Sequence, residues 1–460
     1  MTERHMEPPP WREVFQGERG RLVIGLLILE SLVAVYALVI TAIMPAVRND
    51  LGGTALYGFA FAAWGIATMV TIPIAGHEVD RYGPRIPLLI VLGVQILGFA
   101  VSGLAPTMLV YVVGMFLLGC AGGATYAISM GTVAKTFPER IRARVMALLA
   151  TMWILPGLVG PPLGAFIAST IGWRWAFVVP IPMLVLAASL VLPALGEVVP
   201  AEEADRLPIR WSVQLAIGLA TLLGGLTLTD LWSVPLAIVG LATGLPALLH
   251  IVPEGTLRAR PGLPGAAAAM FLLSGAFFTV DSFIPLMLTE LHDFTLMEAG
   301  ILITVATVTW SAGSWWQSRN AGNIDPGVLV TIGTALVLAG ILGVATGLIA
   351  GAPVLLVYIG WTVAGGGMGI AFPTIPLSVM SAAEEGKEAG QLSSTLLMDT
   401  LGATIGSGLG GASIAFATAA RGNAGLRTGI AGAYALGLAG IILLLFIARR
   451  LPRGTGQPVD

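Results

Sequence analysis

Three carboxyl side chains stand in stretches with almost no other charge: Glu30 in LLILESLVAV (26–35), Asp281 in FFTVDSFIPL (277–286) and Asp399 in LLMDTLGATIG (396–406). Glu30 is the sole charge between Arg21 and Arg48. At 1.5 Å rise per helical residue it would lie about 13 Å along from Arg21. That is inside the roughly 30 Å hydrocarbon layer of a bilayer, if the segment spans one. A carboxylate there costs several kcal/mol unless it is protonated, hydrated or paired. No Lys, Arg or His lies deep in any apolar run; His5, His77, His250 and His292 fall at termini or boundaries. Loss of water penalises the charged form of a carboxyl. An acid balanced between its two forms loads a proton from one side and releases it to the other. Proton coupling is therefore the chemistry expected of these three residues. The competing explanation for each is a protonated carboxyl bonded to a backbone carbonyl, or a misplaced span boundary.

The chain around them is built for a membrane. Of 460 residues 56% are hydrophobic and 10% charged, against about 25% charged in soluble domains. Mean hydropathy is +0.90. Apolar runs of about twenty residues recur throughout, which indicates an all-α polytopic membrane protein; the alternating segments of a strand barrel are not seen. The net charge of −2 carries no information about partners, and a single cysteine, Cys120, excludes an intrachain disulfide. The first apolar run is too long for a signal-peptide core and reads as a retained helix.

Fourteen spans are expected: 22–47, 55–76, 86–105, 107–136, 144–168, 174–195, 212–229, 231–252, 266–291, 295–318, 327–350, 353–380, 391–417 and 429–448. With the N-terminus inside, 19 Lys and Arg face the cytoplasm, and Arg48, Arg174, Arg421 and Arg427 face out. That asymmetry sets orientation. The layout is a tail (1–21), a six-helix half (22–195), a linker (196–211), a two-helix insertion (212–252), a linker (253–265), a second six-helix half (266–448) and a cytoplasmic tail (449–460). Halves built from inverted three-helix repeats are an architecture of secondary transporters. The insertion is expected at the periphery.

Two motifs add detail. GHEVDRYGPR (76–85) is a very short charged turn between spans 2 and 3, permitted by Gly76 and Gly83. LPGLVGPPLGAF (155–166) in span 5 puts Gly157, Gly160 and Gly164 with Pro161 and Pro162 on a smooth, bent helix. Taken alone, the first is a solvated turn and the second ordinary tight packing.

Together with the span count, Gly76-x-x-x-Asp80-Arg81-x-Gly83-x-Arg85 resembles the loop motif of the major facilitator superfamily. The resemblance implies a fold of two six-helix halves, with Asp80 meeting the N-terminal end of span 13 near Gln391–Ser394 in the outward-facing state, braced by Arg81 and Arg85. Glu78 and Pro84 depart from the pattern. Gly157-x-x-Gly160-Pro161-x-x-Gly164 resembles the signature of the superfamily's drug/proton antiporters, and IGWRWAF (171–177) resembles the fourteen-span members. Two of their usual charges are missing: Met115 stands where an Arg is usual in span 4, and Tyr36 where an Asp is usual in span 1. Glu30, Asp281 and Asp399 are the available replacements.

Cavity candidates are Tyr36, Tyr126, Trp153, Phe278, Trp310 and Trp361, whose faces suit large apolar or cationic amphiphiles; the simpler reading of any single one is packing or lipid contact. Glycine runs in corresponding spans, GCAGGATYAISMG (119–131) and WTVAGGGMGIAFPTIP (361–376), point to bending. AGGGMG (364–369) is no phosphate loop, since no Lys-Ser/Thr follows. No metal-ligand spacing or nucleophile constellation is present, so neither an enzyme nor a cofactor or metal is expected. The expected protein is a monomeric, multi-pass exporter in the inner or plasma membrane that exchanges protons for small hydrophobic or amphipathic compounds, without nucleic acid. Lipid export, proton-coupled import and a non-transporting scaffold or sensor are the alternatives.

Overall fold

The computed structural model describes residues 14–137, 139–152, 154–195, 209–382 and 388–451. All regular structure among them is helical. The first half comprises α1 (Gly17–Leu51), α2 (Tyr57–Tyr82), α3 (Arg85–Gly103), α4 (Met108–Thr136), α5 (Glu139–Thr151), α6 (Ile154–Ile167) and α7 (Pro180–Ala194). A hairpin of α8 (Ile209–Thr227) and α9 (Ser233–Ile251) follows. The second half holds α10 (Leu263–Asp281), α11 (Ile284–Leu291), α12 (Leu296–Asn320), α13 (Pro326–Ala345), α14 (Leu355–Ala382), α15 (Glu388–Arg421) and α16 (Gly425–Ile447).

Local chemistry sets the helix ends. Gly83, at φ 73°, ends α2, and Pro84 opens α3; only glycine takes that backbone without strain. Thr295 and Glu298 form a reciprocal capping box on α12, and Asp325 caps α13 ahead of Pro326.

Among the described residues twelve stretches are long and apolar enough to cross a membrane, and the last, Ser394–Arg450, contains most of α15 and all of α16. The expected sixth span, 174–195, is instead a short 3-10 turn (Trp173–Phe177) and the fifteen-residue α7. Pro180 and Pro182 lack the N–H groups needed for an unbroken α-helix from Trp173, so the turn and α7 together cover the expected segment. The ninth expected span is interrupted at Ser282–Phe283, just before Pro285 in the first turn of α11.

The halves meet along a seam of small residues. Gly58 of α2 lies against Gly411 of α15, and Gly65 against Thr404; a Cβ on Gly58 or Gly411 would run into the other's backbone. At one end of the bundle Arg48 of α1 pairs with Glu290 of α11 at 2.8 Å, closing the halves on each other. At the opposite end, where Lys135 lies, no comparable packing joins α4 to α14 or α15 among the described residues. The molecule is thus closed at the Arg48 end.

The hairpin lies across the seam. Its two helices pack tightly through Gly218, Gly240 and Gly244, while Gly224 of α8 faces Phe59 of α2 and Leu223 faces Gly408 of α15. One helix of the insertion therefore touches both halves.

Candidate functional site

The three acids fall on both sides of the seam. Glu30, 2% exposed, points from α1 toward Ser129 of α4. Tyr36 and Tyr126 lie within electrostatic range of its carboxyl. Glu30 Oε1 and Ser129 Oγ nonetheless lack hydrogen-bond partners. Asp281 is half-buried at the last turn of α10, where the helix breaks, with Tyr434 of α16 in electrostatic range. Discontinuous membrane helices are where transporters place substrate and ion sites. Asp399, also half-buried, accepts a 2.5 Å hydrogen bond from Ser274 Oγ of α10. Ser282 and Ser407 repeat the α10–α15 link eight residues further along both helices, at 3.1 Å, so these helices run parallel. Asp399 therefore joins two helices of one half. Among the described residues, none of the three acids is in an ion pair.

The aromatic candidates form two groups. In the second half Phe277 stacks on Trp361, with centroids 4.5 Å apart, and stands edge-on to Phe278 and Trp310; Trp310 continues to Phe372. Phe278 and Trp310 are half-buried, whereas Trp361 is enclosed and holds the group from behind. In the first half Tyr36 is buried, edge-on to Trp64 and Phe99, and donates to Leu118 O at 3.3 Å. Tyr126 is 39% exposed. In this conformation Tyr126, Phe278 and Trp310 are thus the candidates with open faces, and Tyr36 and Trp361 support them. Trp153 lies outside the described residues.

Span 5 carries its glycines to the seam itself. A Cβ on Gly157 of α6 would collide with the Thr307 methyl of α12, in the other half. Gly300 of α12 in turn faces Pro161 O, and Thr304 Oγ1 reaches Leu158 O at 3.5 Å. Gly164 faces Val39 of α1 on the other side of α6, while Gly160 has room for a methyl group. The motif therefore lets α6 lie close to α1 and to the opposite half at once.

The loop motif sits at the Lys135 end. Asp80 pairs with Lys135 at 2.8 Å, and Lys135 also donates to Val79 O at 3.0 Å. Arg81 lies over the Tyr82 ring, 5.0 Å from its centre, and Arg85 is exposed at the start of α3. Gly76 has open space around it and Gly83 makes the turn.

Sequence reasoning misses the site at the Arg48 end. A cavity of about 460 Å³ lies there between the halves, lined by Asn49, Asp50, Glu290 and Phe294 among others. Arg48 closes it through Glu290, and Arg174 and Trp173 both donate to Asp50. Arg48 and Glu290 are so far apart in the chain that only the folded arrangement pairs them.

The sequence profile of the Major Facilitator Superfamily matches residues 26–411. The chain belongs to this superfamily. A probable multidrug-efflux transporter of Mycobacterium tuberculosis is 27% identical over 98% of this chain and 100% of its own length. The multidrug transporter MdtP of Bacillus subtilis is 22% identical over 86% of this chain and 75% of its own. Among solved structures, a D-xylose-proton symporter superposes with a TM-score of 0.69 at 14% identity, covering 96% of this chain and 100% of that one. A POT family transporter in complex with 5-aminolevulinic acid gives 0.67 at 16% identity, covering 93% and 96%. As a Major Facilitator Superfamily member, the chain is a multi-pass membrane protein whose curated relatives are multidrug efflux transporters.

The seam can be tested at each of its contacts. Gly157→Ala should lower the thermal unfolding midpoint in detergent by an amount matching about 1–3 kcal/mol of overpacking. Thr307→Ala in the same protein should restore it, and Gly160→Ala should be neutral. Equal midpoints for the Gly157 and Gly160 variants would contradict the seam assignment. Separately, Glu290→Gln should widen the distance between spin labels placed on the two halves at the Arg48 end. An unchanged distance distribution would show that the ion pair does not hold this end closed.

Proposed function

We propose that this chain exports hydrophobic or amphipathic, drug-like compounds in exchange for protons moving inward. Alignment over nearly its whole length with relatives named multidrug-efflux transporters carries the export reading. The proton half rests on Glu30, Asp281 and Asp399, which offer ionisable groups in both halves with no cation paired to them among the described residues. Positive-inside asymmetry puts the termini and the Lys135 end in the cytoplasm. The conformation closed at the Arg48 end is then inward-facing, in the inner or plasma membrane.

Transport proceeds as alternating access. Substrate enters from the Lys135 end and rests against the open faces of Tyr126, Phe278 and Trp310. Apolar and cation–π contacts there suit bulky cationic amphiphiles and demand no fixed polar geometry. The halves then rock along the Gly58–Gly411 and Gly157–Thr307 seam, breaking Arg48–Glu290. In that outward-facing state Asp80 leaves Lys135 for the N-terminal end of α15 near Gln391–Ser394, where the helix dipole favours an anion. The monomer is sufficient, because both halves lie in one chain. Lipid export uses the same apolar surfaces, and substrate competition separates it from drug export.

Removing an essential proton carrier should uncouple flux from the gradient without blocking insertion. Glu30→Gln and Asp281→Asn proteins in vesicles should therefore lose the acceleration of ethidium transport by a pH gradient. If both variants keep full gradient-driven transport, these two acids are not the coupling residues.

A further inference from the structure

Among the described residues the Ser102, Ser233 and Thr334 hydroxyls are isolated, buried and without a partner, whereas four buried hydroxyls follow one another on α4. Thr125, Ser129, Thr132 and Thr136 follow each other at four, three and four residues, the spacing that keeps side chains on one helix face. The first three are almost fully buried, at 1%, 1% and 0% exposure. Thr125, Thr132 and Thr136 have no hydrogen-bond partner, and the one polar side chain beside Ser129 is the Glu30 carboxyl. Elsewhere Ser and Thr commonly donate to the carbonyl four residues back, as Thr71, Thr289, Thr374 and Thr404 do. These four leave that bond unmade, and a buried polar group left unpaired costs about 1–3 kcal/mol.

The stripe leads to a second unpaired group of another kind. Tyr36 of α1 donates to Leu118 O, and the Tyr36 hydroxyl and Val33 face Gly122. α1 and α4 therefore run antiparallel along this face, which brings Glu30 level with Ser129. Glu30 Oε1 is buried, unpartnered and directed into the stripe. On the far side of Thr125, Gly98–Leu118 and Ser102–Gly114 fix the register of α3 against α4. That register carries Gln95 to within a turn of Thr125; Gln95 is 0% exposed and both of its amide atoms are unpaired.

Geometry says what satisfies such a row. Successive hydroxyls rise about 4.5–6 Å along the helix. One water bonded to both spans about 5.5 Å. Buried waters typically sit where they make two to four such bonds.

We propose that α4, with α1, α2 and α3 packed around it, lines a chain of waters, strung along Thr136, Thr132, Ser129 and Thr125, that conducts protons between the Lys135 end and Glu30. This deepens the reading of Glu30 as a proton-coupling residue and rests on it. The Glu30 carboxyl O–H bond breaks as one forms on the adjacent water, each water accepts one proton and passes another on, and a proton leaves to the cytoplasm beside Thr136. Titratable groups on the packed helices include Tyr36 on α1, Cys120 and Tyr126 on α4, and at the mouth His77, Glu78, Asp80 and Arg81 of α2, Arg85 of α3, Lys135 of α4 and Arg142 of α5. α6 and α7, which also pack on α1, carry none. The path runs inside the first half and meets the substrate surface at Tyr126, beside Thr125 and within electrostatic range of Glu30.

The test uses the full chain in vesicles, with ethidium as substrate and a trapped pH dye. Thr132→Val keeps the side-chain shape and removes the hydroxyl; Thr132→Ser keeps the hydroxyl. Thr132→Val should slow ethidium-driven proton movement about tenfold, while ethidium counterflow without a gradient, which needs no proton transfer, continues. Thr132→Ser should restore proton movement. If Thr132→Val and Ser129→Ala both move protons at the unmodified rate while Glu30→Gln does not, the water path is wrong and the role of Glu30 stands. If Glu30→Gln also moves protons normally, or the unmodified protein moves none, the path falls together with the reading beneath it.

Discussion

A polar group taken out of water must find a partner, and inside a bilayer the choice of partners is short. This constraint orders the molecule. Asp399 meets it with Ser274, and Ser282 meets it with Ser407, so that α10 and α15 are tied together within one half. Glu30 does not meet it with any protein group through Oε1, and neither do the hydroxyls beside it. Asp399 thus has a hydroxyl donor in its own half, which Glu30 Oε1 lacks. Acids held by a neighbouring cation stay ionised; acids without one answer to the proton supply.

The second ordering constraint is closeness. Helices in lipid gain nothing from mutual apolar burial, so they associate by packing detail, and small residues let their backbones approach. Gly58–Gly411 and Gly157–Thr307 put such contacts on the boundary between the halves. Smooth contacts of this kind tolerate rocking better than interlocked large side chains. The charges stand at the two ends of the seam: Arg48–Glu290 joins the halves at one, and Asp80–Lys135 stays within a single half at the other. The α8–α9 hairpin lies across the same boundary through Leu223 and Gly224. It thereby resists separation of α2 from α15 while leaving the opposite face of the bundle free.

Much of this is legible in the amino-acid sequence. Hydropathy indicates the helices, and the span 5 glycines indicate a close-packing face. Their partner, Thr307, is not legible, because contact between distant helices depends on a register that periodicity does not encode. The same holds for Arg48 and Glu290. The break after Asp281 is hidden because a hydropathy run continues through Ser282 and Phe283 unchanged; Pro285 is the available signal. The α4 hydroxyls look like ordinary small residues in a glycine-rich span. Only burial and the missing i−4 bonds set them apart. At α7 the prolines shorten the regular α-helix relative to the apolar run, a detail that composition alone does not show.

If substrate leaves as protons enter, the two fluxes must be tied to each other in the purified protein. The most direct measurement is ethidium flux in vesicles containing only this protein, at fixed membrane potential, with and without a pH gradient. A gradient driving protons one way should accelerate ethidium the other way, and reversing the gradient should reverse the net flux. Ethidium flux that is the same with, without and against the gradient would contradict proton-coupled export.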